Sequence, residues 1–193
     1  DLVFTPEREP VATIDDLEVA QFVYLLSRSE KFRNLLDTVT QKVVLILGRF
    51  TDPRMAVLNA IRQELRKLGY LPVLFTFEPN PSRNLTETVA ALASLARFVV
   101  ADITDPRSIP QELQAIAPQF LSVPIQPIIA ASQRPYGMFE SIQEHKSVLP
   151  FYRYPNILRL RRAFHTRIVS PAEIFARNVV SERSRSQRTN AHK

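Results

Sequence analysis

The sequence contains very little glycine and no cysteine, and each shortage excludes a class of site. Its 193 residues include three glycines, Gly48, Gly69 and Gly137. A dinucleotide-binding G-x-G-x-x-G loop, a Walker A loop and the G-x-S-x-G elbow of hydrolases all need more closely spaced glycines. Without cysteine there are no disulfides, thiol nucleophiles or cysteine-ligated metal centres. The three histidines are far apart, so no local histidine motif holds a metal, and we expect neither a metal nor a bound cofactor.

Long apolar runs are also missing. No stretch reaches the roughly 18 consecutive apolar residues of a transmembrane helix, and no signal peptide is recognisable at the amino terminus. A chain without cysteine suits a reducing compartment. These observations predict a cytoplasmic protein with no membrane partner. The first residue is Asp rather than Met, so we expect either a piece of a longer polypeptide, with an upstream domain outside this sequence, or a processed chain.

Positive charge is concentrated at the carboxyl end of the chain. The net charge is +6, but residues 153–193 carry 10 Lys and Arg against 2 Asp and Glu, whereas residues 1–152 carry 15 against 17. Residues 181–193 contain one apolar residue, an alanine, and so cannot offset their ordering entropy by burial. We expect a basic, disordered tail over 181–193. The alternative for this tail is contact with nucleic acid or with another acidic surface. Residues 1–152 are slightly acidic, so nucleic-acid binding by the body of the protein is not supported.

The remaining chain divides into a lead-in and an α/β domain. Residues 1–41 combine a proline-rich start with a helical pattern over 14–40, which we expect to pack on the domain or to couple it to an upstream one. Residues 42–180 alternate short apolar runs with amphipathic stretches. Strands are predicted over 43–47, 71–77, 98–102 and 123–130, with a fifth over 147–149 or 151–154. Two helical patterns follow, over 156–167 and 171–180.

Strands that alternate with helices imply right-handed crossovers and a parallel sheet. The predicted fold is a flavodoxin-like three-layer sandwich with about five parallel strands, preceded by the helical segment. We expect the first strand to lie between the second and the third. Asp52 is the predicted N-cap of the first helix, and Gly69 is its predicted stop. Two prolines in the fourth strand, Pro124 and Pro127, place that strand near an edge.

Polar side chains follow the predicted strands where such sheets bind ligands, beyond their carboxyl ends. Arginines there suit a phosphate or carboxylate ligand, an aromatic ring can stack on a base, and carboxylates suit acid–base or nucleophilic chemistry. Helix capping and solvation are the alternative explanations for individual positions. The candidate binding residues are Arg49, Phe50, Arg54, Arg83, Asp105 and Ser108.

The segment from Val99 to Leu113 resembles the nucleoside 2-deoxyribosyltransferase-like families and the related TIR-like domains. In those families an apolar strand ends in Asp, a short loop carries a Ser, and a helix begins with Glu-Leu. The matching residues here are Asp102, Ser108 and the pair Glu112-Leu113, and the loop Gly48-x-Phe50 is similar to a Gly-Pro-Phe loop of the transferases. The resemblance covers about residues 42–135.

The resemblance implies cleavage of the bond between a base and a ribosyl group, on NAD or on another nucleotide. Glu112 takes the role of the glutamate that attacks or stabilises the anomeric carbon, and Asp102 that of a second catalytic group for substrate positioning or base protonation. Such a transition state is oxocarbenium-like and favours an anionic carboxylate on one face. The implied partners are a nucleotide ligand and a second copy of the chain or an attached domain.

Two other function classes share parts of this pattern. Many enzymatic TIR domains carry a Trp near the glutamate, and this chain has none, so a TIR-like signalling or interaction domain that binds without cleavage stays open as the alternative. A response-regulator receiver also ends its third strand in Asp. A receiver needs an acidic pair after the first strand, where this sequence supplies only Asp52. It also needs a Lys after the fifth strand, and Lys193 is the only lysine beyond Lys146. We therefore reject the receiver.

Overall fold

The computed structural model describes residues 2–3, 13–14, 29–30, 34, 38, 40–76, 89–90, 92–105, 113, 117–118, 122–135 and 139–190. Only the backbone is described at 2–3, 13–14, 76, 140, 180 and 182–190. The chain forms two compact units, Asp1–Thr40 and Gln41–Lys193. In the first unit, β1 (Leu2–Val3) and β2 (Thr13–Ile14) pair antiparallel. Residues 30, 34, 38 and 40 are helical, and the rest of the helix predicted over 14–40 lies outside the described residues.

The second unit is built on a parallel sheet of five strands. Its order is β4-β3-β5-β6-β7, and all four pairings are parallel. The first strand of the domain therefore lies between the second and the third, as the sequence predicted. The strands are β3 (Val43–Gly48), β4 (Leu71–Thr76), β5 (Phe98–Asp102), β6 (Ile125–Ala130) and β7 (Tyr152–Tyr154).

The continuous apolar runs of the inner strands are explained by two cores, one on each face of the sheet. In β3, Leu45 and Leu47 pack into one core, whereas Val44 and Ile46 pack into the other. Alternate side chains point to opposite faces of a strand, so a strand with helices on both sides needs apolar residues at every position. The architecture is thus the predicted flavodoxin-like three-layer sandwich.

Strand β6 shows how the sheet accommodates proline. It lies second from the edge, between β5 and β7, and Pro127 pairs in register with Ala101 of β5. Because proline has no N–H, the ladder is incomplete on the β7 side. The buried amide of Gln126 closes this gap, since its Nε2 donates to the carbonyls of Pro127 at 3.1 Å and Pro150 at 2.9 Å. Beyond the gap, β7 pairs with residues 128–130 only.

Helix α1 (Asp52–Lys67) follows β3 and packs its buried face on the sheet. Its N-cap is Thr51 rather than the predicted Asp52, because the carbonyl of Thr51 accepts from the N–H groups of the first turn. Gly69 ends the helix with φ of 83°, as predicted. The N–H of Gly69 donates to the carbonyl of Arg66 and that of Tyr70 to the carbonyl of Leu65, which is a Schellman motif.

The chain ends in a long helical run. Helix α2 (Phe139–Gln143) precedes β7, and α3 (Ile157–Phe164) follows it, capped by the side chain of Asn156. A π-helical turn (His165–Val169) joins α3 to α4 (Ser170–Asn190), where two separate helices were predicted. The N–H of Ser170 bonds to the carbonyl of His165, and this wider turn lets Pro171 enter the helix without an N–H.

The backbone of α4 continues to Asn190. The first ten residues of the segment predicted as a disordered tail are therefore helical. The expectation that they make no tertiary contacts stays a prediction. Among the described residues, none of the helices combines the length and the hydropathy that a membrane-spanning segment requires.

Candidate functional site

The strand order reverses direction between β3 and β5, and this is where a flavodoxin-like sheet opens a crevice. Strand β4 lies on one side of β3 and β5 on the other. The chain therefore continues from β3 and β5 to opposite faces of the sheet, where α1 packs into one core and Leu113 into the other. The loop after β3 carries Arg49 and Phe50 and leads into α1. The loop after β5 carries Thr104 and Asp105. These two loops form the described part of the candidate site.

A buried polar network forms the floor of this crevice. Asp102, the last residue of β5, is 2% exposed. Its Oδ2 accepts from Nε of Arg54 at 2.9 Å, while its Oδ1 accepts from the Thr104 hydroxyl and from the Thr104 N–H at 3.2 Å. The Arg54 Nη2 donates to the hydroxyl of Tyr154. That hydroxyl lies 3.3 Å from Oγ1 of Thr104, which also accepts from the N–H of Ala130.

The network joins four elements of the domain. Arg54 lies in the first turn of α1, and Asp102, Ala130 and Tyr154 end β5, β6 and β7. Because the strands are parallel, their carboxyl ends lie together at one end of the sheet, where α1 also begins. The arginine therefore bridges a carboxylate on one strand and a phenol two strands away.

Burial dominates the acid–base behaviour of this floor. Burial raises the pKa of the Asp102 carboxyl, and the nearby Arg54 guanidinium and the bonds from Thr104 oppose that rise. Burial also raises the pKa of the Tyr154 phenol, with a further rise from the Asp102 charge. A carboxylate that is desolvated and paired at the base of a crevice is typical of functional sites, although structural ion pairs share this property.

A second, more exposed ion pair joins the two loops above the floor. Nη1 of Arg49 donates to Oδ2 of Asp105 at 2.9 Å, and the two side chains are 20% and 27% exposed. Phe50, next to Arg49, is 44% exposed. The crevice thus presents a partly exposed cation and an aromatic ring on one loop, and a carboxylate on the other.

The structure brings together five of the eight predicted site residues. Arg49, Phe50, Arg54, Asp102 and Asp105 all lie on the two loops or on the elements that flank them. Arg83, Ser108 and Glu112 lie outside the described residues. The residue after Glu112, Leu113, is helical and fully buried in a core.

Sequence reasoning missed Thr104 and Tyr154. Thr104 stands two residues after Asp102, a spacing at which a hydroxyl and a main-chain N–H can bond back to a carboxylate. Tyr154 ends a strand at the same edge of the sheet as Asp102. Both positions were visible in the sequence, but nothing in it indicated that α1 would bring Arg54 between them. No group of three or more metal-ligating side chains is found among the residues that the structure describes.

Comparisons with known proteins show the fold. The solved structure of a CMP N-glycosidase, BcmB, from Clostridium botulinum matches 65% of this chain and 99% of its own length, with a TM-score of 0.50 and 11% identity. A lysine decarboxylase, LdcF, from Francisella novicida matches 67% of this chain and 17% of its own length, with a TM-score of 0.46 and 15% identity. No protein-family model and no curated protein sequence matches the chain.

Proposed function

We propose that this protein is a nucleotide-processing N-glycosidase that cleaves the bond between base and ribose in NAD or a related nucleotide. The observation that carries the proposal is the crevice at the switch point, where the loops after β3 and β5 meet through Arg49 and Asp105. A cation, an aromatic ring and acidic groups stand together there. The fold that the chain shares with a CMP N-glycosidase supports the same class of activity.

The residues of the crevice suit the parts of a nucleotide. Arg49 offers guanidinium donors to a phosphate, and Phe50 offers a ring face to the base. Glu112 lies outside the described residues. On the sequence resemblance we assign to it the carboxylate that stabilises positive charge at C1′ as the glycosidic bond lengthens. The electron pair of that bond leaves with the base. The oxygen of a water molecule bonds to C1′, and one proton of this water passes to the base or to solvent.

Asp102 fits a positioning role better than a direct one. The residue is buried, and its carboxylate already accepts bonds from Arg54 and Thr104. A buried, fully bonded carboxylate holds its neighbours in place rather than reaching a substrate. We assign it the task of holding Arg54 and the start of α1 beneath the crevice.

The test is base release from a substrate panel. The purified chain is incubated with NAD, CMP and the other nucleoside monophosphates, and the products are separated by chromatography. We expect Glu112→Gln to lower turnover by about 100-fold or more, because Gln keeps the size of the side chain and removes its charge. Glu144→Gln is the matched control, since Glu144 is an exposed glutamate beyond α2. Equal turnover by wild type and Glu112→Gln would remove Glu112 from the mechanism.

A second candidate function is nucleotide or partner binding without cleavage. It is favoured by the pairing of both described acidic residues of the crevice, since Asp102 and Asp105 each form an ion pair with an arginine. Saturable nucleotide binding by a folded wild type that releases no base would select this function. Light scattering with and without the nucleotide then tests whether binding changes the association of chains.

A further inference from the structure

A cavity of about 390 Å³ lies at the amino ends of the strands, at the opposite end of the sheet from the crevice. Three of its lining residues lie at the amino ends of strands: Tyr70 and Arg97 immediately precede β4 and β5, and Gln41 lies two residues before β3. The other two, Glu173 and Arg177, lie one turn apart on α4. The cavity is therefore formed where the amino ends of three parallel strands meet the last helix.

One carboxylate organises this cavity. Glu173 accepts two bonds from Arg97, Nε to Oε1 at 3.1 Å and Nη2 to Oε2 at 2.8 Å. Its Oε1 also accepts from the hydroxyl of Tyr70 at 3.0 Å. Nε of Arg177 donates to the main-chain carbonyl of Glu173 at 3.2 Å. Both carboxylate oxygens are thus engaged, and the planar fork of Arg97 is held in one orientation.

The charge balance here differs from that of the crevice. In the crevice, Arg49 and Arg54 each face one aspartate. In the cavity, the guanidinium groups of Arg97 and Arg177 face a single glutamate, which leaves a net positive charge. The hydrogen bond from Arg97 keeps the pKa of Glu173 below its usual range, so the carboxylate is ionised at neutral pH. The two guanidinium groups and the one carboxylate then carry a net charge of +1.

The hydrogen-bonding capacity left in the cavity consists mainly of donors. A guanidinium carries five N–H donors and no acceptor, and the bonds above engage a minority of those on Arg97 and Arg177. Burial and the nearby Glu173 raise the pKa of the Tyr70 phenol to about 12, so its hydrogen remains in the bond to Glu173. Among the described residues the lining therefore offers excess N–H groups and excess positive charge, which a ligand with anionic oxygen atoms complements.

We propose that this cavity binds a small ligand through a carboxylate or phosphate group, recognised by the guanidinium groups of Arg97 and Arg177. The bidentate bond to Glu173 pre-orients Arg97, which lowers the ordering cost of binding. Glu173 also competes with the ligand for the same donors. The site is independent of the crevice and of any glycosidase activity.

The competition predicts opposite effects for two substitutions on α4. Arg177→Gln removes one of the two cations and should weaken anion binding by about tenfold, the effect of one charge-assisted bond. Glu173→Gln removes the competing charge but keeps an oxygen that accepts from Arg97, so Arg97 stays oriented and anion binding should tighten several-fold. If the cluster has only a structural role, none of the variants will bind the anion saturably. Arg159→Gln, an exposed arginine on α3, is the matched control and should leave the affinity unchanged.

The experiment is an NMR titration of the isotope-labelled chain with inorganic phosphate and, separately, with acetate, in a buffer free of other oxyanions. We expect saturable shifts of the amide signals of Gln41, Tyr70 and Arg97, and the tighter of the two probes identifies the anionic group. Thermal unfolding checks that each variant is folded, and Arg177→Gln retains the Arg97–Glu173 pair. The proposal is overturned by non-saturable shifts in folded wild type, by equal affinity of wild type and Arg177→Gln, or by weaker binding to a folded Glu173→Gln. Base-release assays address the crevice alone, so the two proposals fail separately.

Discussion

Asp102 is the most enclosed charged residue of the crevice, and its pairing with Arg54 shows why a buried ion pair is difficult to replace. Its side chain is 1% exposed and that of Arg54 is 14% exposed. Each charge loses most of its hydration and recovers the cost only from the other charge and from Thr104 and Tyr154. The Arg49–Asp105 pair has the same N–O distance of 2.9 Å but lies nearer to solvent, where an ion pair contributes little.

Asp102→Asn should lower the free energy of unfolding by about 3–5 kcal/mol, because it leaves the guanidinium of Arg54 buried without a counter-charge. Arg49→Gln is the control at the outer pair and should cost no more than about 1 kcal/mol. The double variant Arg54→Gln with Asp102→Asn should cost less than the two single losses together, since neither charge is then isolated. Urea denaturation measures the free energy of unfolding of the wild type and of each variant. A loss for Asp102→Asn that is no larger than for Arg49→Gln would contradict this account of the floor.

At the scale of elements, the contact between β3 and α1 positions the loop that carries Arg49 and Phe50. Gly48 ends β3, and a Cβ added there would lie 2.6 Å from Cδ2 of Leu58, a fully buried residue of α1. The helix thus packs against the strand at a position where a side chain does not fit. This close approach also holds Arg54, in the first turn of α1, beneath the crevice.

Gly48→Ala should destabilise the domain by about 1–3 kcal/mol, because Leu58 has to move within a packed core. The cost should be smaller by at least about 0.5 kcal/mol in a Leu58→Val background, which removes carbon from the point of contact. Gly69→Ala provides the contrast, since no atom lies within 4 Å of its added Cβ but its φ is 83°. Its cost of about 1–2 kcal/mol comes from the left-handed backbone and should be the same in both backgrounds. Equal costs of Gly48→Ala in the wild-type and the Leu58→Val backgrounds, measured by urea denaturation, would rule out the steric explanation.

At the scale of the whole molecule, contacts between distant parts of the sequence hold the last helix to the sheet. The Tyr70 hydroxyl and Glu173 are 103 residues apart, and Arg97 and Glu173 are 76 apart. On the same face, Arg161 of α3 bonds to Glu64 of α1 at 2.8 Å. These polar contacts supplement the apolar core beneath α3 and α4, to which Leu160, Phe164 and Ile168 contribute.

The Tyr70 contact makes the stability of the whole domain depend on pH. Burial raises the pKa of this phenol from its usual 10.0 to about 12 in the folded state. Between these values the unfolded chain loses the proton and the folded chain keeps it, so the free energy of unfolding falls as pH rises. Tyr70→Phe should reduce that fall by about 1 kcal/mol, a figure that allows for partial exposure of the ring. Urea denaturation at pH 10 and pH 12 tests this, and an equally steep fall without the Tyr70 phenol would refute it.

The amino-acid sequence by itself determined the order and type of the elements in the domain. Continuous apolar runs over 43–47 and 98–102 required strands that are buried on both faces, and the helical spacing between them required crossovers, so a parallel sheet followed. The 2-1-3 start was expected from the flavodoxin-like fold. Gly69 was recognisable as a helix end for the same local reason, because few residues adopt its backbone conformation. Each of these signals arises from neighbours in the sequence.

Only the tertiary structure decided which polar side chains meet. The position of Asp102 at the carboxyl end of a parallel strand was predictable from the sequence. Its bond to Arg54, 48 residues away, depended on the orientation of α1 against the sheet. The bond from Arg54 to Tyr154 spans 100 residues. The cluster around Glu173 required the helical run that starts at α3 to continue past Pro171 into α4. Hydrophobic periodicity specifies the face of each element that is buried, but it does not specify the rotation and axial position of one element against another. The rotation and axial position of each element are set by packing. The network of the crevice and the cavity at the opposite end of the sheet therefore became visible only in the folded molecule.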